Sequence, residues 1–372
     1  MGFKWHFILL ILVACQNITG NTALENNVSA FTEQSDNSEL LFIAPDSVRE
    51  EQTEFVEKLR NTGHDKRQLY EEYLGIIGAN GVLAGIETVW PKCHNEAHDL
   101  GKIIFAKIQN IEQSLRICRN KCLTGCMHGV LMEAFMDAQS DEEEGHIDLD
   151  KLKPLMKEIC FNNSEMTTSY GPGECAHGVG HAIMFLSGYD IADALQGCAE
   201  FDDKKMEYYC ATGGYMEYTV ERDKEDAKTR SIFYPCDTFD HPAACARGKV
   251  GLVATQYYRQ GKDLEGVLQA VVQDCEQLIG KFRRGCFHGI GNAYSGFISS
   301  NTISIQKVCS YGSEEEQIMC IEGAMQYMGK YASDKTAAVC EQLEGEKKEI
   351  CLTAAGHKLY SMEADLALYF KD

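Results

Sequence analysis

Cys175-Ala176-His177-Gly178, Cys210-Ala211-Thr212-Gly213, Cys245-Ala246-Arg247-Gly248 and Cys286-Phe287-His288-Gly289 repeat one pattern, a cysteine followed three residues later by glycine. Cys320-Ile321-Glu322-Gly323 and Cys351-Leu352-Thr353-Ala354 continue it, and Cys126-Met127-His128-Gly129 precedes it. The unit recurs about every 35 residues, the mark of a stacked repeat protein. Equivalent positions therefore have to be read as columns along a stack.

Each of these cysteines has a partner upstream, giving the expected pairs Cys118 with Cys126, Cys160 with Cys175, Cys198 with Cys210, Cys236 with Cys245, Cys275 with Cys286, Cys309 with Cys320 and Cys340 with Cys351. The partners are 8 to 15 residues apart. Such spacing suits the end of one helix crosslinked to the start of the next across a short turn, with the second helix opening at the second cysteine. No C-x-x-C pair of a metal ribbon is present. Cys93 and Cys122 are left over, and a bridge between them would tie the first, irregular unit to the second, closing a loop worth ~3 kcal/mol.

Glycine inside a helix costs about 1 kcal/mol relative to alanine. Six copies accept that cost, so close approach of the neighbouring helix is expected at Gly129, Gly178, Gly213, Gly248, Gly289 and Gly323. Helical periodicity runs from about Tyr70 onward, only 6 prolines occur, and no alternating strand pattern persists. The fold class expected is all-α: an α/α-hairpin solenoid, or superhelix, stapled by disulfides within its repeats.

This plan resembles the Sel1-like (TPR-like) repeats, particularly their cysteine-rich secreted relatives. The closest stretch runs from Cys245 to Cys275, where Tyr257-Tyr258-Arg259-Gln260-Gly261 precedes Asp263 and the next helix. The resemblance covers roughly residues 110 to 365. It departs in its longer, variable cysteine separations and in lacking that family's Gly-x-Gly turn. It implies a right-handed superhelix and a partner-binding role, and no catalytic residues.

Length alone, 372 residues, would suggest two or three domains, but a solenoid grows by adding units around one continuous core. The expected organisation is a signal peptide over 1–15, a polar tether over 16–65, and seven or eight hairpins over 66–370. The apolar run Phe7 to Ala14 is too short to span a bilayer, and Leu12-Val13-Ala14-Cys15 resembles a lipobox that would leave Cys15 lipidated. Ordinary cleavage near Gly20 is the alternative. Either way the chain reads as exported, as a cell-envelope lipoprotein or a secreted protein. Membrane contact would come only through that anchor. Of 17 cysteines, setting Cys15 aside leaves an even number, as an oxidised exported protein requires. The formal charge of -21 repels phosphate backbones, so nucleic acid is not an expected partner.

The columns carry the functional signal. Two residues past the second cysteine stand His128, His177, Thr212, Arg247, His288, Glu322 and Thr353; six past it stand Met132, His181, Met216, Gly251, Asn292, Gln326 and His357. Four residues apart on a helix means one face. His94-x-x-x-His98 follows Cys93 in nearly the same register, and His177 and His181 share its spacing. That spacing aims two imidazoles at one point, a geometry that suits Zn, Cu or Fe.

Candidate metal ligands are thus His94, His98, His128, His177 and His181, with Glu96, Glu133 or Glu217 completing the site or orienting the rings. Met127, Met132 and Met136 beside His128 add an argument for copper. Haem is a further possibility, though no C-x-x-C-H attachment motif exists. Arg247, His288, Asn292, Glu322 and Gln326 are candidate ligand-binding residues further along the groove. Three functional classes stay open: a surface scaffold that binds a peptide, protein or glycan in a histidine-lined groove, a metal or haem protein (a class that includes metal-dependent enzymes), and a purely structural envelope protein.

Overall fold

The computed structural model describes residues 49–362 apart from 62–65, 91–92, 119–120, 140–146, 223–228 and 358. The signal peptide, Cys15, most of the polar tether and the acidic run from Asp141 lie outside the described residues. Every regular element described is helical, with no strand among the described residues. All-α holds, in a form compatible with a helical repeat.

Eight long helices pack each on the next in chain order. They are α3 (His94–Ile108), α5 (Gly125–Ala138), α7 (Pro172–Leu186), α9 (Lys204–Glu221), α10 (Pro242–Arg259), α12 (Gly280–Ser299), α14 (Glu314–Tyr331) and α16 (Gly345–Gly356). Shorter helices separate them: α4 (Ile111–Cys118), α6 (Leu149–Lys157), α8 (Ile191–Cys198), α11 (Leu264–Cys275), α13 (Ile305–Val308) and α15 (Thr336–Cys340). Ahead of these, α1 (Arg49–Asn61) buries Phe55 and Leu59 against α2 (Lys66–Val89).

The first helix of several hairpins ends on its cysteine as expected, at Cys118, Cys198, Cys275 and Cys340. The second helices open earlier than their cysteine, because the caps sit further upstream. Asp203 accepts from the backbone N–H groups of Lys205 and Met206, and Ser313 forms a reciprocal capping box with Glu316. Cys210 and Cys320 consequently lie one turn or more inside their helices, where the bridge pins helix body to helix end.

All seven within-hairpin disulfides form as paired in the sequence. Cys93–Cys122 is the eighth. Eight bridges are consistent with an exported protein that matures in an oxidising compartment.

The glycine column meets neighbouring backbone. A Cβ on Gly129 would overlap the carbonyl oxygen of His98, one on Gly213 that of His177, and one on Gly323 that of His288. Gly101, Gly180 and Gly291 stand opposite and meet the carbonyls of Cys126, Cys210 and Cys320. Helices α3/α5, α7/α9 and α12/α14 are thus locked by reciprocal glycine contacts. Gly248 differs, since its nearest neighbour would be the Thr219 side chain at 3.9 Å.

The single continuous core expected of a stack is instead two clusters that meet on α10. Ala243, Ala244 and Cys245 join the first, while Ala246, Val250, Val253 and Ala254 join the second. The end of the chain returns to the first cluster, where Leu359 and Tyr360 are buried. Tyr209 donates to the Ser361 carbonyl at 2.7 Å, Lys205 to that of Met362 at 2.7 Å, and Lys330 on α14 pairs with Glu174 on α7. The seventh long helix therefore touches the third.

Candidate metal centre

The irregular first unit supplies the first two imidazoles. His94 and His98 occupy successive turns of α3, directly after Cys93, whose bridge to Cys122 holds a turn in which Cys122, Leu123 and Thr124 all adopt left-handed backbone. Such conformations cost about 1–3 kcal/mol each and persist only where the surroundings enforce them. Here the turn aims the Leu123 carbonyl at His94. His128 comes from α5, and His177 and His181 from α7.

All five rings are buried and gather in one cluster. Centroids lie 4.8 Å apart for His94–His128, and 4.9 Å for His98–His181, His128–His177 and His177–His181. The structure thus brings together all five histidines named as candidate metal ligands, His94, His98, His128, His177 and His181. They form a buried cluster between helices instead of lining an open groove, because the glycine contacts draw the long helices together at these positions.

Hydrogen bonding settles where the ring protons stand. His94 Nδ1 meets the Leu123 carbonyl at 2.8 Å; a carbonyl only accepts, so Nδ1 carries the hydrogen and Nε2 is bare. The Thr212 hydroxyl donates to the Tyr209 carbonyl at 2.5 Å, so it accepts from His177 Nδ1 at 2.7 Å and leaves His177 Nε2 bare. The Tyr360 hydroxyl stands 3.1 Å from the same Nδ1. His181 Nδ1 donates to the Glu217 carboxylate at 2.8 Å, so in the neutral ring Nε2 is bare. The Thr124 hydroxyl faces two acceptors, the Leu123 carbonyl at 2.5 Å and Glu174 at 3.3 Å. It therefore accepts from His128 Nε2 at 3.3 Å, and His128 Nδ1 is bare.

The bare nitrogens face one another. His94 Nε2 and His128 Nδ1 are 3.2 Å apart, and His177 Nε2 and His181 Nε2 are 3.3 Å apart. One nitrogen from each of these four rings lies within 4.8 Å of every other. Two lone pairs at hydrogen-bond distance with no hydrogen between them repel unless a cation stands between. The edge of a tetrahedron with metal–nitrogen bonds of about 2.0–2.1 Å is about 3.3 Å. Two imidazoles on opposite faces of a haem iron would stand about 4 Å apart at such bond lengths, so these facing pairs do not fit a haem.

His98, His181 and Glu217 form a second convergent group. The 2.8 Å separation of His181 Nδ1 and Glu217 is that of an ordinary hydrogen bond, which places Glu217 to orient the His181 ring. His98 Nε2 is buried with no hydrogen-bond partner, a fifth imidazole beside the four. Burial, reinforced by the neighbouring imidazoles, holds His98, His128 and His177 well below the ordinary histidine range. Burial, with His181 next in weight, lowers His94 to about 3. His94, His98, His128 and His177 are therefore neutral, the state a metal requires.

The other carboxylates suggested by sequence do not reach the cluster. Glu96 lies 3.9 Å from Lys66, and Glu133 is half-buried, with its carboxyl raised by desolvation. Met127 and Met132 belong to the apolar core. Met216 is the methionine that lines the adjoining cavity.

That cavity, of about 200 Å³, has His94, His128 and His177 on one wall and Arg247, Asn292, Lys330, Tyr331 and Tyr360 among its other lining residues. The predicted ligand-binding residues are divided. Arg247 and Asn292 reach this cavity, Glu322 and Gln326 line a separate one with His357, and His288 is fully buried. His288 Nε2 stands 3.4 Å from Gln326 Oε1, and His288 joins neither convergent group.

Sequence reasoning misses Leu123, Thr124, Glu174, Lys330 and Tyr360. Leu123 acts through its carbonyl, which carries no residue signature. Lys330 and Tyr360 arrive from the far end of the chain, so no local spacing points to them. Desolvation draws the Lys330 ammonium down to about 7, against the pull of the Glu174 carboxylate beside it.

Comparison with protein-family models, with curated proteins and with solved structures finds no match for this chain.

Proposed function

We propose that this protein binds a divalent transition metal, Zn²⁺ by the fit of its tetrahedral edge, through His94, His128, His177 and His181. The observation that carries the reading is the arrangement of four imidazole nitrogens whose outer partners take every ring hydrogen away from the centre. Leu123, Thr124, Thr212 and Glu217 would act as orienting partners, and His98 as a reserve ligand. Three of the four rings border a cavity. Four imidazoles would fill a tetrahedral shell, as in a structural centre, whereas a catalytic site keeps one position open. Metal-dependent chemistry on a small molecule in this cavity would require one of the four to give up its position.

The surrounding ladder of hairpins is read as an α/α solenoid of the Sel1-like kind, carried on an exported and lipid-anchored chain. A second reading keeps a peptide, protein or glycan partner. It is favoured by a broad basin of about 900 Å³ that shares Leu123, Lys330, Tyr331 and Tyr360 with the inner cavity.

Elemental analysis of protein made in an oxidising compartment without a histidine tag tests the metal reading. Near-stoichiometric metal is expected, with affinity falling roughly a thousandfold, about 4 kcal/mol, in His177→Ala/His181→Ala. Protein that stays metal-free after dialysis against Zn²⁺, Cu²⁺ and Fe²⁺ in turn would overturn it.

A further inference from the structure

Arg247 occupies the column position that holds His128 and His177 in earlier repeats, and it lines the same cavity as those rings. Its Nε and Nη1 are sealed from solvent and have no hydrogen-bond partner. No carboxylate among the described residues pairs with it; the Tyr360 ring lies beneath it, 5.4 Å from Cζ to the centroid. Asn292, one helix further on, lines the cavity too, and its Nδ2 is likewise buried and unpartnered.

An orphaned buried donor costs about 1–3 kcal/mol and a charged one more, so such groups persist where a ligand completes them. Both orphans are donors, and one is a guanidinium, a charged planar fork suited to a carboxylate; its Nε and Nη1 point to different sides, so each offers a single hydrogen bond. We propose that this cavity is a receptor for a small monocarboxylate, gripped by Arg247 and Asn292, with its far end turned toward the His94, His128 and His177 wall.

Charge and shape select within the anions. The other cation on the wall, Lys330, is already committed to Glu174, so one unit of positive charge is free. That balances a carboxylate and leaves a phosphate dianion under-neutralised. Leu123, Met216, Ala244 and the ring of Tyr327 supply an apolar surface for a short hydrocarbon tail, and a volume of about 200 Å³ excludes a long one. Tyr360 joins the two ends, because its ring supports Arg247 while its hydroxyl meets His177 Nδ1 at 3.1 Å. The placement of the tail beside a metal rests on the reading above; the grip on the carboxylate does not.

Calorimetric titration of butyrate, butyramide and inorganic phosphate into the full-length protein tests this, run before and after metal loading with metal content measured in parallel. Butyrate is expected to bind at one site, with butyramide weaker by about tenfold or more. Arg247→Met should lose about the same factor while keeping its metal. Arg247→Lys should recover part of it, since charge remains and the fork does not. Asn292→Leu should cost only a few-fold, and these two variants carry the test if Arg247→Met fails to fold. Equal binding of butyrate and butyramide, tighter binding of phosphate, no binding of butyrate, or wild-type affinity in the Arg247 variants would each overturn the proposal. Protein that refuses metal yet prefers butyrate would sink the metal reading alone. Metal-loaded protein without that preference would sink the carboxylate alone.

Discussion

Two residues past the second cysteine, the first half of the ladder places His128 and His177, and the second half places Arg247 and His288. Both histidine sets are buried beside a disulfide, and burial lowers His288 to about 3 as it does His94. Their surroundings differ. In the first half four rings turn a nitrogen to an outward partner, so their other nitrogens converge. In the second, His288 meets the Gln326 amide oxygen, and the neighbouring column residues are Arg247 and Glu322. A repeat column decides where a side chain sits. The partner on the next helix decides whether that side chain is a ligand or a packed polar group.

Acid should separate the halves most. The metal-free imidazoles stay neutral in the fold, while the unfolded chain takes up protons below about pH 6.5. Stability is therefore complete above that pH and drains away as pH falls toward about 3, where His94 itself titrates. Each buried ring contributes up to about 1.4 kcal/mol per pH unit in that window. His94, His98, His128 and His177 act in the first half, against His288 in the second. Hydrogen exchange across roughly pH 7 to pH 5 should show α3, α5 and α7 opening before α12 and α14. Uniform opening would remove the distinction.

Backbone contact gives the next effect. Gly213→Ala forces a methyl group onto the His177 carbonyl and should cost about 3 kcal/mol in chemical denaturation. A loss below about 1 kcal/mol would mean that the α7/α9 contact yields easily.

Glu217→Gln removes the charge that fixes His181 and should weaken metal binding about 10- to 100-fold. His288→Gln should leave metal affinity where it was. Equal losses in the two variants would show a global effect on folding instead of a local one.

The smallest change is a gain. Gly248→Ala faces open space with Thr219 at 3.9 Å, and should stabilise α10 by up to about 1 kcal/mol. Destabilisation there would reveal a contact of the kind found at Gly213.

Much of this was legible from periodic residues. The cysteine spacing gives four helix ends and every within-hairpin bridge, and the histidine register gives all five rings of the cluster. What escapes is whatever a period cannot encode. Ser313 and Asp203 move helix starts upstream of Cys320 and Cys210 by capping. Leu123 contributes a carbonyl from a left-handed turn. Tyr360 and Lys330 reach the site only because the chain end returns to α7. The column also overstates likeness, since Gly248 shares the pattern without the close contact and Glu322 opens onto a different cavity from Arg247.

The Cys93–Cys122 bridge has a consequence for how the chain is made. Seven bridges join cysteines that are close in sequence, and from Cys160 onward each pair is simply the next two thiols to emerge. The four thiols Cys93, Cys118, Cys122 and Cys126 break that order, because Cys93–Cys122 crosses Cys118–Cys126. An oxidant working strictly in order of appearance would join Cys93 to Cys118 and Cys122 to Cys126. The turn that presents the Leu123 carbonyl to His94 would then not be pinned. Maturation in that order would ask for one correction by thiol exchange, located where the imidazoles assemble. Refolding with and without a disulfide isomerase should change the yield of metal-competent protein far more than the yield of helix; equal yields would show that the crossed pair forms unaided.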